Sequence, residues 1–176
     1  MNRDLVVLVD SNDNVIGSEE KLLAHQKGLL HRAFSIFIAR RHQGETQVLL
    51  QQRAWSKYHC GGLWSNSCCS HPQPEEELKS SALSRLNEEL GFTLDDLTWV
   101  DSHTYRAELA NELVEHELDH LFVAWAEPDV SQFNPDEVEA TSWLSLAQID
   151  EQLATKPQKF TPWFAPTFQK IRAQLN

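Results

Sequence analysis

The passage from Trp64 to Gly91 constrains the fold more than any other part of the chain. An extended stretch, Trp64-Ser65-Asn66-Ser67-Cys68-Cys69-Ser70-His71-Pro72, leads into a helical pattern with Leu78, Ala82, Leu86 and Leu90 at four-residue intervals, which stops at Gly91. A strand followed by a helix with an apolar stripe needs a sheet on which to lay that stripe, so the chain is α/β. Glu75, Glu76 and Glu77 fill the predicted first turn, where they complement the helix dipole. Arg85 and Glu89, four apart, share a face of the same helix beside the leucine stripe. Alternation along the extended stretch puts Ser67, Cys69 and His71 on one side and Cys68 and Ser70 on the other. Cys69 therefore belongs with His71, and Cys68 with the core, where a free cysteine behaves as a small hydrophobe.

The remaining segments read as a sheet with further helices. Leu5 to Val9 is a β-branched run closed by the turn residues Asp10 to Asn14, predicted as an edge strand. Ser18 is the predicted N-cap of a short helix from Glu19 to His25. His31 leads into a strand over Ala33 to Arg40 with Phe34, Ile36 and Ile38 on one face, and its partner, Gln47 to Arg53, follows a turn across residues 41–46. Residues 54–60 lose periodicity and form a predicted basic loop with Arg53 and Lys57. Thr98 to Ala107 is extended. In the next strand, ending at Trp125, Glu115, Glu117 and Asp119 project from one face. Glu139 to Leu144 is a last strand, Leu146 to Leu153 a helix, and a C-terminal helix ends near Leu175. No repeat or linker interrupts the chain, so residues 1–176 read as a single domain.

Charge narrows the partners. Fifteen basic against 26 acidic side chains give a formal charge of -11, which argues against nucleic acid and against an anionic membrane surface. An anionic substrate must then meet a local basic cluster or a metal. The N-terminus lacks the long apolar core of a signal peptide. Three cysteines without a CxxC pair fit a reducing compartment, and the expected location is the cytoplasm.

Three constellations carry chemistry. His25, His31 and His71 with Glu115 and Glu117 offer mixed nitrogen and oxygen donors suited to a divalent metal, while His42, His59, His103, His116 and His120 read as solvated or structural. Lys21, Arg53, Lys57 and Arg85 supply positive charge for a phosphate, with Glu89 as a candidate Mg2+ ligand. Cys69, Glu117, Tyr105 and Trp163 could form a proton-transfer pair inside an aromatic shell, in which an indole face stabilises developing positive charge.

His25, the block His31-Arg32-Ala33-Phe34-Ser35, the block Trp64 to Pro72, Glu88-Glu89-Leu90-Gly91, Tyr105-Arg106-Ala107, Glu115-His116-Glu117 and Thr161-Pro162-Trp163 resemble, in order, the type I isopentenyl-diphosphate isomerases. The resemblance spans nearly the whole chain. It implies a Nudix-like α/β/α sandwich around a mixed β-sheet, and interconversion of isopentenyl and dimethylallyl diphosphate through a carbocation in isoprenoid biosynthesis. It further implies one divalent metal (Mn2+, Mg2+ or Zn2+) on His25, His31, His71, Glu115 and Glu117. A Mg2+ ion would sit on the diphosphate with Glu89 and the backbone of Cys69. Lys21, Arg53, Lys57 and Arg85 match diphosphate-binding positions, Cys69 and Glu117 the acid/base pair, Tyr105 the hydroxyl beside the glutamate, and Trp163 the indole facing the cation.

Two alternative readings are a non-enzymatic metal-binding module, in which the histidines and glutamates close a structural site, and a Nudix diphosphohydrolase, which the hydrolase box tests. That box expects Gly, five residues, Glu, seven residues, Arg-Glu, an apolar residue, any residue, Glu-Glu, and then Gly after one more residue. Here the positions read Ser70, Glu76, Ser84-Arg85, Leu86, Asn87, Glu88-Glu89 and Gly91. The central Arg-Glu is missing, so the carboxylate set for hydrolytic metals is incomplete.

Overall fold

A computed structural model describes residues 4–176, so the first three residues of the N-terminal reading lie outside the described residues. Strand β1 (Leu5–Val9) pairs antiparallel with β2 (Val15–Glu20) through a turn in which the Asp10 carboxylate accepts from the Asn12 and Asn14 amides at 2.9 and 3.0 Å. This corrects two expectations. Ser18 lies in β2 opposite Val7 and caps nothing, and β1 is not an edge, since β2 covers it. Helix α1 (Lys21–Lys27) starts at Lys21 without a side-chain cap and ends on Gly28, whose φ of 66° suits a glycine.

The centre of the sheet is β3 (His31–His42). It forms a hairpin with β4 (Glu45–Arg53), and the turn is shorter than predicted, two residues, Gln43 and Gly44, both at positive φ. The short strands β5 (Trp64–Ser65) and β6 (Cys68–Ser70) lie against β4 and β3, respectively. Helix α2 (Leu78–Leu90) follows, and here the acidic run precedes the helix instead of filling its first turn. Glu77 is the N-cap, and its carboxylate accepts from the Lys79 and Ser80 amides. Strands β7 (Thr98–Glu108) and β8 (Val114–Trp125) form a long antiparallel pair, and β8 runs parallel to β3. Strand β9 (Val138–Ser145), helix α3 (Leu146–Thr155) and helix α4 (Phe164–Ile171) complete the order.

One mixed sheet of nine strands results, with helices on both faces. Phe34, Ile36 and Ile38 of β3 pack with Ala82, Leu86 and Leu90 of α2, as their spacing predicts. Phe37 and Ala39 face the other way and pack with Leu121 and Val123 of β8 and with Ile149, Phe164, Phe168 and Ile171 of α3 and α4. Each fully buried Leu or Phe contributes roughly 1.5–3 kcal/mol, so both helical layers are held firmly to the sheet. The arrangement is the α/β/α sandwich expected. No helix among the described residues is long and apolar enough to cross a membrane.

Candidate active site

Strand registers assemble the site on the α4 side of the sheet. Along β8, Leu121 and Val123 reach the α4 core, and the residues of the same parity before them are Glu115, Glu117 and Asp119. The parallel register sets His31 opposite Glu117 and Ala33 opposite Asp119. On the other edge of β3, β6 sets Ser35 opposite Cys69 and Ile36 opposite Cys68. Cys68 is fully buried in the α2 core and Cys69 lines the pocket, so the parity reading of the two thiols holds. Ser67 departs from it. Its hydroxyl donates to the Leu49 carbonyl at 2.6 Å and accepts from the Ile38 amide, binding strands together beneath the site. Ser70, where the hydrolase box has glycine, sits in the ordinary β3–β6 ladder opposite Phe34, so no left-handed backbone is needed there.

The imidazoles converge as the sequence suggested. His25 and His31 stand 5.2 Å apart by ring centroids, and His31 and His71 4.9 Å. His25 Nδ1 donates to the Lys21 carbonyl at 2.7 Å, and His31 Nδ1 to the Leu29 carbonyl at 2.9 Å. Those bonds fix the tautomers and leave both Nε2 lone pairs facing inward. His25 Nε2 then lies 3.1 Å from Glu115 Oε1, lone pair against lone pair, an arrangement that needs a proton or a cation between them. His31 Nε2 and Glu115 Oε2 are buried without a hydrogen-bond partner. Two orphaned donor atoms beside facing lone pairs fit a divalent metal.

Electrostatics divide the imidazoles: burial works to lower His25, but its contact with Glu115 outweighs that and raises it. Burial pushes His31 down to about 4 and His71 well below its ordinary range, keeping both neutral and able to ligate. Burial and the neighbouring Glu115 charge push Glu117 up. A bound cation would favour both carboxylates ionised.

Cys69 lies in a network of hydroxyls and amides. Its thiol donates to Asn66 Oδ1 at 2.8 Å, with Ser35 Oγ at 3.6 Å and Ser65 Oγ at 3.8 Å. Asn66 Nδ2 is spent on the carbonyls of Ile36 and Cys68, which fixes its oxygen toward the thiol. Ser65 Oγ also accepts from Trp163 Nε1 at 3.1 Å, so thiol and indole hang from one scaffold. Burial raises the thiol to about 11, with the hydroxyls of Ser35 and Ser65 pulling the other way. Tyr105 stands across the β7–β8 ladder from Glu117, half-buried but outside the pocket lining.

All four predicted cations line this pocket. Burial, with Lys57 and Arg85 nearby, lowers the Lys21 ammonium. Arg53 lies 5.3 Å from the Trp163 ring with a buried, unpartnered Nε. Arg85 ion-pairs with Glu88 at 2.9 Å, Glu89 at 2.7 Å and Glu137 at 2.9 Å, and Lys57 also pairs with Glu137. Glu89 Oε1 accepts from Gln51 Nε2 at 2.9 Å.

Sequence reasoning missed several of these residues. His59, read as solvated or structural, places Nε2 2.9 Å from Glu115 Oε1 and its ring 6.0 Å from Trp163, inside the pocket. It sits in the aperiodic segment, where no alternation assigns a face. Asp119, buried and holding the Ser35 hydroxyl at 2.7 Å, was visible from the parity of β8. His116 and His120 are structural as read, held by the Gly28 carbonyl and Asp13. The hydrolase carboxylates are not gathered. Glu76 accepts from the Gln73 amide on another surface, and of Glu76, Glu88 and Glu89 only Glu89 lines the pocket.

Fold and site together define a Nudix-type protein, and residues 29–164 match the NUDIX domain family. The NUDIX domain of NrtR from Shewanella oneidensis, solved with ADP ribose, superposes with a TM-score of 0.61 at 18% identity, covering 84% of this chain and 88% of that one, a likeness of fold alone. Sequence relatives are nearer. The isopentenyl-diphosphate Delta-isomerase of Pectobacterium atrosepticum is 49% identical over 94% of this chain and 90% of its own, and that of Serratia proteamaculans 44% over 97% and 92%. The chain belongs to the isopentenyl-diphosphate Delta-isomerase family.

Proposed function

We propose that the protein interconverts isopentenyl diphosphate and dimethylallyl diphosphate, a step of isoprenoid biosynthesis, by adding a proton at one carbon and removing one from another. The observation that carries this reading is a single pocket in which Cys69, Glu117 and Trp163 sit beside four cationic side chains. Lys21, Arg53, Lys57 and Arg85 hold the diphosphate, Arg through forked hydrogen bonds and Lys as point charges.

An unactivated alkene is a weak base, so protonation of its terminal methylene needs a positioned acid in a dry pocket. The electron pair of the double bond takes the proton, the positive charge falls on the adjacent tertiary carbon, and loss of a proton from the next carbon restores a double bond in the allylic position. Cys69 and Glu117 are the acid/base pair. Tyr105, beside the glutamate, relays or orients its proton. The Trp163 face stabilises the cation, as aromatic faces do when water is excluded.

His25, His31, His71, Glu115 and Glu117 would hold a divalent ion, and their mixed imidazole and carboxylate donors suit Mn2+ or Zn2+ as well as Mg2+. When bound, that ion would supply positive charge that orders the Glu115 and Glu117 carboxylates and favours their ionised forms. Glu89 and the backbone of Cys69 would meet a Mg2+ ion arriving with the diphosphate. Each Glu89 oxygen retains acceptor capacity beyond its contacts with Gln51 and Arg85.

Supplied with isopentenyl diphosphate and Mg2+, the purified protein is expected to give dimethylallyl diphosphate and no free phosphate. Release of phosphate without the allylic product would replace this reading with a hydrolytic one.

A further inference from the structure

Residues 54–62 form a tight loop fixed at its base. The Ala54 amide donates to the Glu137 carbonyl at 3.0 Å and the Gly62 amide to the Arg53 carbonyl at 2.9 Å. The tip turns through Cys60 and Gly62, both at positive φ, and a Cβ on Gly61 would come within 2.8 Å of the Trp55 carbonyl oxygen. From this tip two polar side chains cross to the site. Lys57 pairs with Glu137, and His59 reaches Glu115.

The position of His59 matches that of a ligand. Cis donors on an octahedral ion with bonds of roughly 2.1 Å are separated by about 3 Å. His59 Nε2 lies 2.9 Å and His25 Nε2 3.1 Å from the same Glu115 oxygen. Donor atoms of His25, His59 and Glu115 lie within 4.8 Å of one another, as do those of His25, His31 and His71, and those of His31, Glu115 and Glu117. The other ring nitrogen of His59, Nδ1, is buried without a partner, so no hydrogen bond on that side selects a tautomer with Nε2 protonated.

We infer that His59 is a sixth protein donor to the metal, delivered by the 54–62 loop, so that metal binding also fastens the loop carrying Lys57 over the diphosphate site. The inference rests on the metal reading above. It gives this loop a metal-dependent closed state, linking ion occupancy to placement of a phosphate-binding lysine two residues away.

Metal affinity of the whole protein, measured by competition with a chelator using Mn2+ and Zn2+, tests it together with amide hydrogen exchange. His59→Ala and His59→Gln are both expected to weaken binding by more than about 100-fold, beyond the roughly 10- to 100-fold typical for loss of a residue that only supports a ligand. Metal should slow exchange across residues 55–61 in the wild type and not in either variant. Glutamine can still donate a hydrogen bond to Glu115. Normal affinity and metal-dependent protection in His59→Gln, with loss only in His59→Ala, would make His59 a support for Glu115 and overturn the ligand assignment. Unchanged affinity in both variants would overturn it too. A wild type that binds neither ion would remove the metal reading and this inference together.

Discussion

Cys69→Ser is expected to lower turnover about 100- to 10,000-fold, the contribution typical of one positioned acid or base. A serine hydroxyl fits the same network of Asn66, Ser35 and Ser65, so the loss should fall on turnover and leave KM and the fold nearly intact. The neighbouring thiol is the internal control. Cys68 points through the sheet into the α2 core, where its thiol also meets the Glu89 carboxylate, so Cys68→Ser keeps a hydrogen-bond partner and should cost only about 1 kcal/mol of stability. Its turnover at a temperature where the fold is intact should stay close to wild type. Steady-state kinetics beside urea denaturation separate the two. Equal, mild losses of turnover from both substitutions would take Cys69 out of the chemistry.

Removing the metal is expected to have the second large effect. Exhaustive chelation should abolish turnover and leave a fold that weakens in acid. The sign follows from burial. In the fold His31 is held down at about 4 against an ordinary value of 6.5, so it binds a proton more readily once unfolded. Its contribution is complete above pH 6.5 and is lost as pH falls toward 4, which amounts to about 2 kcal/mol by pH 5. His71 is shifted in the same direction by the same cause. Urea denaturation of chelated protein at pH 7.5 and pH 5 should show the drop, and His31→Gln should reduce it, leaving the part due to His71. Full turnover at verified zero metal occupancy would contradict the role given to the cluster.

Much of the site was legible in the chain because alternation assigns faces. Parity along β8 put Glu115, Glu117 and Asp119 together, and parity along β6 separated Cys69 from Cys68. The α2 stripe located the sheet beneath it. Harder to read was anything that depends on pairing between distant segments. The parallel register that sets His31 against Glu117 leaves no trace in either strand alone. Strand β2 was missed because it is exposed along nearly its whole length, Val15 and Ile16 included, so no alternation marks a buried face, and Ser18-Glu19-Glu20 imitates the start of a helix. His59 and Glu137 lie where periodicity fails, in segments ordered by tertiary contacts, so neither spacing nor propensity could bring them to Glu115 and Arg85.

The central claim is that two groups exchanging protons with solvent move a double bond through a cation. Running the reaction with isopentenyl diphosphate in D2O and following it by NMR tests this most directly. The account predicts dimethylallyl diphosphate with solvent deuterium in the methyl group formed from the former methylene, and no release of phosphate. Product free of solvent deuterium, or free phosphate in its place, would contradict it.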